Sequence, residues 1–157
     1  MIKVGDRIPA VNLTRVTSEG NETVAADELF SGKKVVLFAV PGAFTPTCSN
    51  AHLPGYVVNA DTFFDKGVDM IACLSVNDGA VMRAWQQAQN AEQITMLADG
   101  GAAFTRALGL ELDTGDFGGI RSQRYAAIVD DGVVTMLNVE APKAFEVSDA
   151  ETLLKLL

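Results

Sequence analysis

Two cysteines and one histidine are all the thiol and imidazole this 157-residue chain contains, too few for a structural zinc site and too few for a disulfide framework. One or two thiols without such a framework suit a reducing compartment, where a cysteine packs a core or carries redox chemistry, so a cytoplasmic location is expected. Long apolar runs are missing too. Nothing approaches the roughly 18 uncharged residues of a membrane-spanning helix, and the opening MIKVGDRIPAVNLTRVT carries Lys3, Asp6 and Arg7 where a secretory signal needs an unbroken apolar segment. Basic charge is short as well: 12 Lys and Arg against 20 Asp and Glu leave a net charge of −8, with the cations scattered. That balance opposes binding to a phosphate backbone. No repeat, low-complexity tract or Pro/Ser-rich linker divides the chain, so one domain over residues 1–157 is expected. A hydrophobic content of 48% excludes disorder and is ample for a buried core. Neither a metal, a cofactor, a nucleic acid nor a membrane is expected.

What is present is an alternation of strand and helix patterns. ETVAADELFSGK (22–33) reads as a short helix closed at Gly32, followed by the apolar strand 34–40. Residues 47 to 64 have helical spacing, and Pro54 within them predicts a kink or break. VDMIACLSV (68–76) is a continuous apolar run of the buried-strand type. Asn77 and Asp78 offer an N-cap to the helix 79–90, whose Val81, Trp85 and Ala88 share a face. A short strand (94–98) and a helix (102–110) come next. Residues 124–140 are two β runs joined at Asp131-Gly132, and Ser148 with Glu151 reads as a capping box opening a C-terminal amphipathic helix. The order βαβαβα, then hairpin and helix, predicts an α/β thioredoxin-like fold: a central mixed sheet flanked by helices, with an N-terminal extension.

Cys48 falls just past the strand 34–40 and near a helix start, within PGAFTPTCS (41–49). In α/β sheets ligand chemistry gathers beyond the carboxyl ends of strands, and a helix N-terminus there presents amide N–H groups and partial positive charge that favour a thiolate. Speeding attack on a peroxide needs more, namely groups that orient the O–O bond and stabilise charge on the leaving oxygen.

The stretch Pro41-Gly-Ala-Phe-Thr45-Pro-Thr-Cys48 resembles the P-x-x-x-T-x-x-C signature of the peroxiredoxins, and PGAFTPTCS with HLPGY (52–56) is similar to their peroxiredoxin-five, or type II, branch. The resemblance spans nearly the whole chain, including ACLSVND (72–78), Arg124-Tyr125 and DDGVVTMLNVE (130–140). It implies a thiol peroxidase acting on hydrogen peroxide and organic hydroperoxides through a Cys48 sulfenic acid. Cys48 would be the peroxidatic cysteine, Thr45 would set its hydroxyl on peroxide and thiolate, Pro41 would shield the pocket, and Arg124 would stabilise thiolate and transition state. Phe44 and Phe117 would line the substrate pocket and the contact of a homodimer. Where thioredoxins have C-x-x-C this chain has Thr45-Pro46-Thr47-Cys48; without the first thiol, chemistry ending in a sulfenic acid is favoured.

Cys73 has two readings. Its place inside an apolar strand makes core packing the default, while plant members of the type II branch carry a resolving cysteine at this position. No cysteine follows Cys73, so the reductant is expected from outside, either glutathione with glutaredoxin or thioredoxin. His52, four residues after Cys48, reads as a hydrogen-bonding or packing residue in preference to a cysteine-hydrolase base. Arg121, three residues before Arg124, is expected to be a supporting charge. Two functions compete with the peroxidase: a redox-sensing binding module that reports through oxidised Cys48, and a cysteine hydrolase built on Cys48 and His52.

Overall fold

A computed structural model describes residues 1–157. Seven strands form one sheet in the order β2-β1-β5-β4-β3-β8-β9, with β1 at Asn12–Thr17, β2 at Gly20–Ala25, β3 at Lys34–Ala39, β4 at Met70–Ser75, β5 at Thr95–Ala98, β8 at Tyr125–Asp130 and β9 at Val133–Val139. The three central apolar strands β3, β4 and β5 run parallel, and the others pair antiparallel. A two-stranded ribbon, β6 (Glu111–Asp113) with β7 (Ile120–Ser122), stands apart from the sheet. This is the thioredoxin-like α/β architecture that the strand and helix order predicts.

Successive side chains of β3 point to opposite faces of the sheet, so one apolar strand feeds two cores. Val36, Phe38 and Val40 join Cys48, Tyr56, Cys73 and Trp85 on one side. Val35, Leu37 and Ala39 join Phe30, Leu74 and Phe104 on the other. The first core is covered by α2 (Leu53–Val58), α3 (Ala60–Asp65), α4 (Gly79–Ala88) and α6 (Ala150–Lys155); the second by α1 (Ala26–Phe30) and α5 (Ala103–Leu108). Burial on both faces is why β3 and β4 read as unbroken apolar runs.

Several local expectations are corrected. Residues 22–25 are not helical: they end β2, which pairs with β1 from Asn12↔Ala25 to Thr17↔Gly20, and only Ala26–Phe30 form the helix. The hairpin extends the sheet beyond β5, and that tertiary pairing outweighs the local helical pattern. The C-terminal helix is capped by Asp149, which accepts from the Thr152 N–H, whereas Ser148 is bonded elsewhere. In α4 the buried face is Gly79, Met82 and Trp85, and Ala88 is exposed. Asp78 caps that helix as expected, and Asp131-Gly132, both at positive φ, close the β8–β9 hairpin. The ribbon β6–β7 had no clear pattern, being short and exposed along β6.

The segment after β3 departs most from a regular helix. Residues Cys48–His52 form a π-helical turn in which the Leu53 N–H reaches back to the Cys48 carbonyl. Pro54, in the first turn of α2, has no N–H and would clash with the carbonyl four residues earlier, so a wider turn ahead of it relieves both faults. The segment then breaks at Asn59, whose side chain donates to the Gly55 carbonyl. Asn77, past the end of β4, accepts from the Ala43 N–H at 3.0 Å and the Ser75 hydroxyl at 2.6 Å, tying the 41–47 loop to the neighbouring strand. Replacing Asn77 with Ala should therefore cost about 1–3 kcal/mol, because donors lose their acceptor; urea unfolding of the folded variant measures this, and an unchanged midpoint would contradict it.

Candidate active site

Cys48 is fully buried at the start of the π-helical turn. The loop before it turns at Phe44, which adopts φ 64°, and the helical backbone begins at Pro46, whose fixed φ suits a first helical position. Trp85 donates to Ser49 Oγ at 3.0 Å and holds this turn against α4.

Arg124 enters from the residue ahead of β8. Its Nη2 donates to Cys48 Sγ at 3.1 Å and its Nη1 donates to His52 Nδ1 at 2.8 Å, while its guanidinium lies over the Phe145 ring at 5.7 Å. One planar cation thus spans two fixed partners, a use for which a guanidinium fork suits better than an ammonium. On its other side His52 Nε2 donates to the Ser148 carbonyl at 3.0 Å. A carbonyl only accepts, so the proton sits on Nε2 and the Nδ1 lone pair faces Arg124. Burial first, and the Arg124 charge second, push the His52 pKa down to about 3. The ring is neutral and its lone pair is occupied, so it has no free nitrogen with which to act as a base toward Cys48. The hydrolase reading of His52 fails on this geometry. His52 is a hydrogen-bonding residue packed among Phe38, Tyr56 and Phe145.

Thr45 Oγ1 donates to the Gly42 carbonyl at 2.7 Å, leaving its lone pairs open to an incoming donor. Arg121 donates to the Pro41 carbonyl at 2.9 Å and lies over Phe117 at 5.8 Å. A Cβ added at Gly42 or Gly118 would collide with the Arg121 guanidinium, so these two glycines make the slot through which it reaches Pro41. Arg121 therefore braces the loop, and Arg124 meets the thiol. A cleft of about 450 Å³ adjoins them, lined by Pro41, Thr47, Leu112, Gln123, Arg124 and Lys143 among others. Arg124 belongs to both cleft and thiol. Phe44 and Phe117 do not line this cleft; they are 54% and 84% exposed on the surface.

Cys73 lies in mid-β4, opposite Phe38 on β3 and Met96 on β5, without any exposure. Both cysteines are free thiols, in one apolar core. Burial, then the charge of Cys48, pushes the Cys73 thiol well above its ordinary range.

Sequence reasoning missed the groups that hold His52, and through it Arg124. Tyr56 donates to the same Ser148 carbonyl at 2.7 Å, and Glu140 binds the residues just before and at Ser148. Glu140, Phe145 and Ser148 are far from Cys48 in the chain; Glu140 ends the resembling stretch 130–140 and Ser148 reads as a helix cap, and neither signal points to the thiol. No cluster of three or more His, Cys, Asp or Glu side chains is arranged to hold a metal ion, and no helix is long and apolar enough to cross a membrane.

Because His52 titrates near 6.5 when unfolded and near 3 when folded, the unfolded chain binds the extra proton between these values. Stability from this group is complete above pH 6.5 and falls as pH drops toward 3, by about 1.4 kcal/mol per pH unit. Urea unfolding across that range should show a steeper acid loss in the wild type than in His52→Asn; equal slopes would contradict the buried neutral ring.

The redoxin family model matches residues 3–154. Chloroplastic peroxiredoxin-2E-2 of Oryza sativa subsp. japonica is 50% identical over 99% of this chain and 72% of its own length. Peroxiredoxin-2D of Arabidopsis thaliana is 46% identical, over 99% of this chain and 98% of its own. Among solved structures, reduced Prx3 of Vibrio vulnificus in complex with hydrogen peroxide superposes with a TM-score of 0.97 at 65% identity, covering 99% of each chain.

Proposed function

The chain belongs to the redoxin family as a type II peroxiredoxin, and from that premise we propose how its residues divide the reduction of a peroxide. It is a thiol-dependent peroxidase. In our reading the Cys48 thiolate attacks one peroxide oxygen; the S–O bond forms as the O–O bond breaks, and the departing oxygen takes a proton and leaves as water or an alcohol. Cys48 is left as a sulfenic acid. A thiol then attacks the oxidised sulfur and releases water, and a second thiol reduces the resulting disulfide. The observation that carries this assignment is the Arg124 guanidinium 3.1 Å from Sγ, a permanent cation at the place where charge sits in the thiolate and spreads in the transition state. Thr45 accepts from the peroxide O–H while its own O–H donates to the Gly42 carbonyl, and Pro41, with its carbonyl fixed by Arg121, walls the pocket.

The same reading extends to partners. The whole chain acts as one domain in the cytoplasm, and its reductant is external, glutathione with glutaredoxin or thioredoxin. Two copies pair through the edge beside the active site, where Phe44 and Phe117 are exposed. Cys73 packs the core: its depth between Phe38 and Met96 favours that role over resolving Cys48.

Steady-state peroxide consumption with excess thiol donor is expected, and Cys48→Ser should abolish it, since a hydroxyl is a far weaker nucleophile and forms no sulfenic acid. A variant near wild-type rate would overturn the assignment, and wild-type protein that is oxidised once without turnover would favour the redox-sensing module. Arg124→Ala should slow peroxide attack more than Arg121→Ala, and stopped-flow rates ranking them the other way would contradict the roles given. Cys73→Ser should lower stability by about 1–3 kcal/mol by burying a hydroxyl, yet keep turnover with each donor; a non-reducing peptide map of oxidised wild type dominated by a 48–73 disulfide would refute the packing role.

A further inference from the structure

The loop between β9 and α6 is organised around one carboxylate. Glu140, at the end of β9 and only 7% exposed, accepts from three successive backbone N–H groups and a hydroxyl: Glu146 N (2.9 Å), Val147 N (2.9 Å), Ser148 N (2.8 Å) and Ser148 Oγ (2.7 Å). Consecutive amides converging on an anion form a nest. Burial pushes the Glu140 carboxyl up, but these hydrogen bonds outweigh it and hold the group below its ordinary range. Its own N–H donates to the Arg124 carbonyl at 2.9 Å, so the clasp is anchored on the very residue that meets the thiol.

Two groups that this loop presents touch His52 or Arg124. The Ser148 carbonyl accepts from His52 Nε2, and the Phe145 ring packs on His52 at 4.9 Å and under the Arg124 guanidinium. We infer that Glu140 is a positioning residue for peroxide reduction: by clasping residues 146–148 it fixes the Ser148 carbonyl and Phe145, which set the His52 tautomer and thereby aim Arg124 at Cys48. Glu140 touches no reacting atom. The chain of contacts is Glu140 carboxylate, Ser148 carbonyl, His52 ring, Arg124 guanidinium, Cys48 sulfur, each link a hydrogen bond or a covalent neighbour. Tyr56, donating to the same Ser148 carbonyl, fixes it from a second direction. The other charged groups in or beside the loop are Lys143, Glu146 and Asp149; Asp149 caps α6, and neither Lys143 nor Glu146 forms an ion pair.

The inference rests on the assignment of Cys48 as the peroxidatic thiol, so the test reads Cys48 in two ways, one of which needs no peroxide. In Glu140→Gln the amide keeps one acceptor but turns an NH₂ toward the nest. Displacement of a catalytic group by a fraction of an ångström to an ångström lowers rates by roughly ten- to a hundredfold. The second-order rate with hydrogen peroxide should fall by that range, and the pH midpoint for alkylation of Cys48 by iodoacetamide should move upward, while the Michaelis constant for the thiol donor stays unchanged. In an Arg124→Ala background, Glu140→Gln should cause no further loss of peroxide rate, which a general weakening of the fold would not reproduce. Ser148→Ala removes one hydrogen bond and no backbone donor, and should move both readouts in the same direction by about two- to threefold; it decides the matter if the Gln variant does not fold. Wild-type peroxide rate and alkylation profile in either folded variant, or an equal loss with and without Arg124, would overturn the positioning role. Loss of alkylation and of peroxide rate at Cys48→Ser but not at Glu140→Gln would overturn it while leaving the Cys48 assignment standing.

Discussion

The site depends on a guanidinium held between a sulfur and an imidazole lone pair. Arg124 can stay 3.1 Å from Cys48 only because its other nitrogen has an acceptor, and His52 can be that acceptor only because it is neutral with its proton on Nε2. A protonated His52 would place two cations side by side in a buried pocket, at a cost that burial multiplies. The low pKa of His52 is thus a condition for the geometry of the thiol, and the aromatic cage of Phe38, Tyr56 and Phe145 supplies the burial behind it.

The fold delivers these groups from four separate places. Parallel β3 ends at Ala39 and hands the chain to the loop and π-helical turn carrying Cys48 and His52. Antiparallel β8 runs beside β3, pairing Ala39 with Tyr125, so Arg124 emerges at the same end of the sheet. The loop after β9 brings Phe145 and Ser148 over that end, and Asn77 from the β4–α4 turn fastens the 41–47 loop. The π-helical turn matters here. Its wider spacing sets Cys48 and His52, four residues apart, so that a single guanidinium reaches both.

Legibility in the sequence followed the range of the interactions. The central strands, the capped helix α4 and the Asp-Gly hairpin were readable because apolar runs, an N-cap and a turn pair are local signals. Residues 22–25 were misread because their fate is decided by pairing with β1, whose partners are distant from any local pattern. In the site, Pro41, Thr45, Cys48 and Arg124 were legible through motif resemblance, and the structure brings Arg124 onto Cys48. Thr45 was expected to set its hydroxyl on peroxide and thiolate; in the structure that hydroxyl donates to the Gly42 carbonyl, which leaves it only as an acceptor. His52 was legible as a hydrogen-bonding residue but its partners were not, and the contribution of Glu140 and Ser148 could not be read, since His52 meets Arg124 72 residues away and Ser148 96 residues away. Glu140 looks in the sequence like an ordinary charge at a strand end.

The central claim is that Cys48 is the thiol that takes the peroxide oxygen and that its product is a sulfenic acid. The most direct measurement is mass spectrometry of the reduced protein after one equivalent of hydrogen peroxide in the presence of dimedone, with peptide mapping of both cysteines. The account predicts a single dimedone adduct on the Cys48 peptide, with Cys73 unmodified. Peroxide left unconsumed with an unmodified Cys48, or an adduct on the Cys73 peptide instead, would contradict it.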